Sequence, residues 1–246
     1  MHEPASPSDS REGSQRDFQE RLVGRFAPDA VRFALPLLLV GGVALGAGWR
    51  SAGVAFWGLG LCVALFFRNP PRKLPAGPGL VLSPADGKVI EVGEIETQEG
   101  RKALRVGIFL SVFDVHINRA PVAGRVLALE RGGDRYLAAF NREAETRNVR
   151  LAMTLETRDG RRVRVVQISG LIARRIVCQP KIGEWLERGV RYGLIRFGSR
   201  TDVVLPLGSR ARVGVGERVR GGESIVAELP PAGPVEAAAS PTGGTA

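Results

Sequence analysis

Apolar and polar positions change their pattern several times along this chain. Residues 1–17 are polar, with Pro, Ser and Glu, and are expected to be a disordered tail. In "DFQERLVGRF", Phe18, Leu22 and Phe26 fall at i, i+4 and i+8 beside Arg21 and Arg25. That spacing predicts a short amphipathic basic helix within 18–32, suited to a membrane surface or equally to packing on the protein's own core. Two apolar stretches without a charge follow, Phe33 to Trp49 and Ala52 to Phe67, with only Arg50 and Ser51 between them. Each is slightly shorter than the roughly 20 residues that cross a bilayer comfortably. Together they predict a tight helical hairpin over 33–67, spanning the membrane or deeply re-entrant; a buried hairpin of a soluble core is the alternative. Gly41, Gly42, Gly46, Gly48, Gly58 and Gly60 would let the helices approach closely. Trp49, Trp57, Phe66 and Phe67 suit interfacial positions.

"RNPPRKLPAGPG" (68–79) reads as a Pro-rich linker. From Leu80 the pattern becomes short β-runs separated by turn residues: Leu104 to Ser111, Val163 to Gly170, Gly193 to Gly198 and Asp202 to Leu207. Short helices are expected around 136–142 and 182–188. Residues 214–229 read as strand, turn, strand, with Gly221-Gly222 at the turn. The stretch 231–246 is low in complexity and expected to be disordered. The fold class is therefore a mostly β (α+β) soluble domain, 80–230, with an N-terminal membrane helical hairpin.

Charge sharpens this picture. The net charge is +10, from 35 basic and 25 acidic residues, which suggests an anionic partner. Arg21, Arg25 and Arg32 precede the hairpin and Arg68, Arg72 and Lys73 follow it, so both ends are expected in the cytoplasm. The expected location is the cell membrane, with the catalytic domain on its cytoplasmic side. Cys62 and Cys178 do not suggest a disulfide framework, and no zinc spacing exists. With His2 in the polar tail, His116 is the one imidazole available for chemistry.

Three short stretches hold the candidate chemistry. "SPADGKV" puts Asp86 on a turn before a strand, "FLSVFDVHINRAPVAGRV" puts His116 after a β-run, and "RFGSR" puts Ser199 after Gly198. Singly, each has a bland reading: a common Asp-Gly turn, a structural histidine, a bulge in a strand. Joined to the hairpin, and to "FFRNPPR", "QISGLIARRIVC" and "GLIRFGSRTDVVLP", they resemble the membrane-associated phosphatidylserine decarboxylases in their short bacterial and archaeal form. The resemblance runs from about Phe33 to about Leu229. It implies a proenzyme that cuts itself between Gly198 and Ser199, with Asp86, His116 and Ser199 as the catalytic set. Larger members carry Leu-Gly-Ser-Thr at the cut, where this chain has Phe197-Gly198-Ser199-Arg200, as the short form does. "NREAETRN" (141–148) departs from the acidic, Asn-containing run expected there and is given no role.

Chemical reasoning agrees with that implication. Ser199 Oγ can reach the Gly198 carbonyl carbon through a five-membered ring, and Gly198 permits the unusual backbone that attack requires. The hydroxyl needs a base, for which His116 is the candidate, oriented by Asp86. The resulting ester would eliminate to leave a dehydroalanine at 199, which hydrolyses to a pyruvoyl group. That group could form a Schiff base with the amine of phosphatidylserine and accept the electrons released with CO2, giving phosphatidylethanolamine. The only lysines are Lys73, Lys88, Lys102 and Lys181, and none carries a pyridoxal-phosphate motif. His116 is also the best available acid to protonate Cα, and Arg119 is a candidate for the head-group phosphate. The expected product is two chains, 1–198 and 199–246, that stay associated, with phosphatidylserine and the lipid membrane as partners and neither a metal nor nucleic acid involved.

Two other function classes remain open on sequence. A membrane-anchored serine hydrolase would keep Ser199 intact, but Thr201 stands where G-x-S-x-G needs its second glycine. A lipoyl-like carrier or adaptor would need a lysine at its hairpin tip, and Gly221-Gly222 has none nearby.

Overall fold

The protein is described here by a computed structural model covering residues 28–97, 100–137, 147–171, 176–195 and 198–231. The polar tail 1–17, the amphipathic stretch as far as residue 27, the tail beyond 231 and most of the helix expected at 136–142 lie outside the described residues.

The helical hairpin forms where the apolar pattern places it. Helix α1 (Pro28–Gly46) and helix α2 (Arg50–Phe66) are joined by a turn at 47–49. Proline suits the first position of α1, because its missing N–H would have no intrahelical acceptor there. Two consecutive prolines, Pro70 and Pro71, bar continuation beyond α2. The seam is narrower than the glycine pattern suggested. A side chain at Gly41 would collide with Trp57, one at Gly53 with Leu45, and one at Gly60 would come within 2.8 Å of Leu38. Gly42, Gly46 and Gly58 face open space instead.

Among the described residues no helix is long and apolar enough to cross a membrane. The physical reason is length and polarity. Helices of 19 and 17 residues are about 28 and 25 Å long, against a hydrocarbon core of about 30 Å, and α1 opens on Pro28-Asp29 with Arg32 in its second turn. The expectation of a spanning pair is not supported.

Among the described residues fourteen strands follow: β1 (Leu80–Leu82), β2 (Gly87–Glu96), β3 (Lys102–Leu110), β4 (Ile117–Arg119), β5 (Gly124–Gly132), β6 (Arg150–Glu156), β7 (Arg162–Ile168), β8 (Ile176–Cys178), β9 (Trp185–Leu186), β10 (Arg191–Ile195), β11 (Ser199–Pro206), β12 (Arg210–Ala211), β13 (Arg218–Val219) and β14 (Ile225–Glu228). They form an eight-stranded sheet in the order β13-β2-β3-β11-β7-β6-β5-β9 and two three-stranded sheets, β4-β10-β8 and β1-β14-β12. All the pairings between these strands are antiparallel. Among the described residues the fold is mostly β with two helices.

Strand β11 is interior, paired to β3 on one side and β7 on the other. Its alternation puts Val203 and Leu205 into the main core with Val106, Ile108, Val165 and Tyr192. A second core joins the foot of the hairpin to the β-domain: Ala30, Phe66 and Phe67 pack with Val115, Ile117 and Leu194.

The Pro-rich segment 68–79 has neither helix nor strand, but it is fastened to the β-domain. Arg188 donates to the carbonyls of Gly77 (2.7 Å) and Pro75 (2.9 Å), and the Lys73 N–H donates to Glu223. The helix expected at 182–188 is absent. Residues 182–183 turn, Gly183 adopts φ +89°, and Trp185–Leu186 pairs with β5 as a short edge strand. The Gly221-Gly222 turn is present between β13 and β14.

The packing of β10 gives a test. A methyl at buried Gly193 would drive into the backbone carbonyl of Val177 in β8, a group that cannot rotate away. Gly193→Ala is expected to cost about 3 kcal/mol or more and to lower the thermal midpoint by several degrees. Gly58→Ala, placed in open space on α2, is expected to leave the midpoint unchanged or slightly raised. Circular dichroism melts of the two variants in detergent check this.

Candidate active site

The three motifs that carry Asp86, His116 and Ser199 meet around one side chain. Asn118, in β4, is fully buried. Its Nδ2 donates to Thr201 Oγ1 at 3.2 Å and, more weakly, to the Pro84 carbonyl at 3.5 Å. Its Oδ1 accepts from Gln167 Nε2 of β7 at 2.8 Å. The neighbouring backbone reinforces the junction: the Arg119 N–H donates to Pro84 O at 2.8 Å, and the Ile195 N–H to His116 O at 3.3 Å. Asp86, His116 and Ser199 each lie two residues from a member of this junction.

Ser199 opens β11 opposite Leu110 of β3. It continues the strand face that carries Thr201, Val203 and Leu205, so its side chain is buried, and its Oγ has no hydrogen-bond partner among the described residues. Gly198 just before it holds φ +56°, a left-handed conformation that favours glycine. Nothing lies within 4 Å of where a Cβ would stand at that position.

His116 is 2% exposed. Its Nδ1 lies 2.9 Å from the Asp114 carbonyl oxygen. A carbonyl can only accept, so Nδ1 carries the proton and Nε2 keeps its lone pair. That Nε2 is buried and has no partner. The Phe66 ring lies against the imidazole, centroids 4.2 Å apart. Burial is the main reason the imidazole pKa falls to about 4; the Asp114 carbonyl and carboxylate oppose the fall, and Arg68 adds to it. At neutral pH the ring is a neutral imidazole with its basic nitrogen unoccupied. The Asp114 carbonyl is itself fixed by a turn, since the Asp114 carboxylate accepts from Ser111 N (2.8 Å), Ser111 Oγ (2.7 Å) and Arg218 (3.1 Å).

Asp86, expected to orient His116, makes its hydrogen bonds to Arg72 and Gly221 in this structure. Its carboxylate takes both oxygens to Arg72 Nη2, at 2.8 and 3.0 Å, and Oδ1 also accepts from the Gly221 N–H at 2.8 Å. The group that orients His116 is a backbone carbonyl. Arg119 is likewise committed elsewhere: it is buried and donates to the Gly189 carbonyl at 3.0 Å, to Pro70 O and to Asn69 Oδ1. Burial, with Arg191 and Arg72 nearby, lowers its pKa to about 10, so it keeps its charge at neutral pH.

Sequence reading passed over four contributors, all inside stretches it had singled out. "FFRNPPR" supplies Phe66 over the imidazole and Arg72 for Asp86, "QISG" supplies Gln167, and the His116 motif supplies Asn118. A fifth is Arg200, directly after Ser199. It bonds Asp202 (2.6 and 2.8 Å) and Glu91 (2.6 Å) across β3. Gly107 leaves room for the crossing, because a Cβ there would come 2.9 Å from the guanidinium. Burial opposes the Arg200 charge, but the two carboxylates outweigh it and raise the pKa above the ordinary arginine value.

A buried serine hydroxyl, a neutral imidazole and a glycine of left-handed backbone are groups that acyl transfer within a chain uses, although Ser199 Oγ and His116 Nε2 are not hydrogen-bonded to each other in this structure. Known proteins carry the same chain pattern. The family model for phosphatidylserine decarboxylase matches residues 59–227. A phosphatidylserine decarboxylase proenzyme of Aromatoleum aromaticum is 44% identical over 215 residues, covering 87% of this chain and 99% of that protein. One of Burkholderia ambifaria is 45% identical over 205 residues, 83% and 92% of the two chains. One of Burkholderia vietnamiensis is 48% identical over 175 residues, 71% and 82%. With more than half of its length matched by the family model and near-full-length relatives at this identity, the chain belongs to the phosphatidylserine decarboxylase family.

Proposed function

We propose that this chain is a phosphatidylserine decarboxylase made as a proenzyme, and that it matures by cutting itself between Gly198 and Ser199. The observation that carries the self-cutting reading is the pair of buried, partnerless atoms, Ser199 Oγ and His116 Nε2. Each orphan costs about 1–3 kcal/mol, a cost that a reactive site can explain. His116 Nε2 takes the hydroxyl proton as Oγ attacks the Gly198 carbonyl carbon. The amide C–N bond breaks, the Ser199 nitrogen gains a proton, and an ester forms. Loss of the Ser199 α-proton and of the Cβ–O bond then releases Gly198 as a carboxylate. Water replaces the nitrogen of the remaining dehydroalanine, ammonia leaves, and a pyruvoyl group caps residues 199–246.

The surroundings fit such a group. The site is walled by Phe66, Val115, Ile117 and Leu194, which exclude water, and Gly198 leaves open space beside the new terminus. The pyruvoyl carbonyl supplies the electron sink that decarboxylation of an amino acid requires. Burial disfavours the imidazolium, so His116 fits the proton-accepting part of this chemistry better than the proton-donating one. The two chains stay associated because β11 is hydrogen-bonded on both edges and Arg200 is held by Asp202 and Glu91.

The same reading seats the hairpin in the cytoplasmic leaflet of the cell membrane as a re-entrant element. Val43, Trp49, Val54 and Leu61 stand exposed along it, an apolar surface far larger than isolated exposed residues would make. The substrate phosphatidylserine is itself a bilayer lipid.

Maturation is checked by intact mass. The purified protein is expected as two chains, 1–198 and 199–246, the smaller with a blocked N-terminus. Ser199→Ala and His116→Ala are each expected as one uncut chain; normal cutting of His116→Ala would remove His116 from the base role.

The lowered His116 pKa sets a pH profile. Precursor from cell-free translation is expected to process at a level rate from about pH 5.5 to 8 and to reach half its rate near pH 4. A midpoint near 6.5 would contradict a buried base. The unfolded chain binds this proton at its ordinary value, so the folded precursor also loses stability as pH falls from about 6.5 towards 4.

Asp86 and Arg72 are expected to act as a unit. Asp86→Asn and Arg72→Ala should each slow processing by at least about tenfold, and the double variant should be no slower than the worse single one. Effects that multiply in the measured half-times would show that Asp86 acts on something other than Arg72.

A further inference from the structure

We infer that the turn Val112–Phe113 is a second membrane contact, which enters the bilayer beside the hairpin and ties bilayer seating to the position of His116. The inference rests on the reading above that the substrate is a bilayer phospholipid. Phe113 is 82% exposed and Val112 43% exposed, at the tip of the turn that leads from β3 to β4. Such a pair in water is unfavourable unless something apolar covers it.

Its neighbours point to a lipid surface. Arg68, at the foot of α2, donates through Nη2 to the Phe113 carbonyl at 2.6 Å and through Nη1 to the Leu65 carbonyl at 2.9 Å. Leu65 is itself exposed, so Arg68 links an exposed apolar residue of the hairpin to the exposed turn. The foot of the hairpin packs on Val115 and Ile117, only a few residues beyond Phe113. The turn therefore sits at the level where the hairpin leaves the β-domain. Arg68 and the mostly exposed Arg218 flank it with positive charge, the pattern that suits anionic head groups.

The same turn holds the base. Ser111 N–H and Oγ–H donate to Asp114 Oδ2, Arg218 donates to Oδ1, and the Asp114 carbonyl accepts from His116 Nδ1. Phe113 touches neither substrate nor reacting atoms and acts as a positioning residue. Seating it in lipid fixes the loop whose next carbonyl orients the imidazole.

The test places an environment-sensitive nitrobenzoxadiazole label at Phe113→Cys, after Cys62→Ser and Cys178→Ser. On vesicles of phosphatidylcholine with about one third phosphatidylglycerol, its emission is expected to shift to the blue and to be quenched by acyl-chain nitroxides. A label at Leu207→Cys, beyond the opposite end of β11 from Ser199, is expected to stay unchanged. An unchanged label at 113, or equal shifts at both positions, overturns the inference. In turnover, Phe113→Ser is expected to raise KM about tenfold on vesicle phosphatidylserine and to keep kcat/KM within about twofold on a short-chain, monomeric phosphatidylserine. Phe113→Leu is expected to restore the vesicle KM. An equal loss on both substrates, in a protein that still cuts itself, would mean a structural role and also overturns the inference. A wild-type protein inactive on both substrates would sink the decarboxylase reading, while the fluorescence result still decides the turn.

Discussion

The structure turns on the buried amide of Asn118. It is one of very few side chains that can donate to two segments and accept from a third, and here those segments come from three distant parts of the chain. Thr201 brings the start of β11, Pro84 brings the turn before β2, and Gln167 brings β7. In a low-dielectric interior each of these bonds is worth more than in water, and each would leave an orphan if broken. The junction is thus all-or-none. It holds the backbone around Ser199 in place while leaving the serine hydroxyl itself unbound.

How much of this was legible in the sequence depends on the kind of interaction. Two charge-free apolar runs located the hairpin, and short β-runs between turn residues located β3, β7 and β11, because burial imposes such patterns locally. The short helix expected at 182–188 is absent; two glycines of positive φ, Gly183 and Gly189, bracket an edge strand instead. The pair His116 and Ser199 came from the family resemblance, because singly each has a bland reading and Gly208-Ser209 repeats the Gly-Ser-Arg of the expected cut. Its support was not legible. That Asp86 belongs to Arg72, and that a backbone carbonyl orients His116, are facts of tertiary geometry with no one-residue signature. The motif lengths held the hint: each quoted stretch is longer than its one reactive residue needs.

Electrostatics around the site is divided in two. On the Ser199 face of β11 the neighbours are uncharged, the amides of Asn118 and Gln167 besides apolar side chains, and His116 is neutral because it is buried. On the opposite face the Arg200–Asp202–Glu91 cluster concentrates charge in a nearly closed group. A strand can separate the two because successive side chains point to opposite sides. Arg200, next to Ser199, is therefore anchored without bringing its field onto His116.

Phe66 closes the last turn of the hairpin and also forms the ring against His116. The hairpin is therefore not an interchangeable part. Deleting it, or grafting an unrelated helical pair in its place, would strip the Phe66 ring from the imidazole and let water in. The imidazole would then titrate closer to its ordinary range, and Nε2 would gain a solvent partner. The foot of the hairpin is thus also a setting of acid–base strength, and a substitution at Phe66 would reach the imidazole where one at the exposed Trp49 would not.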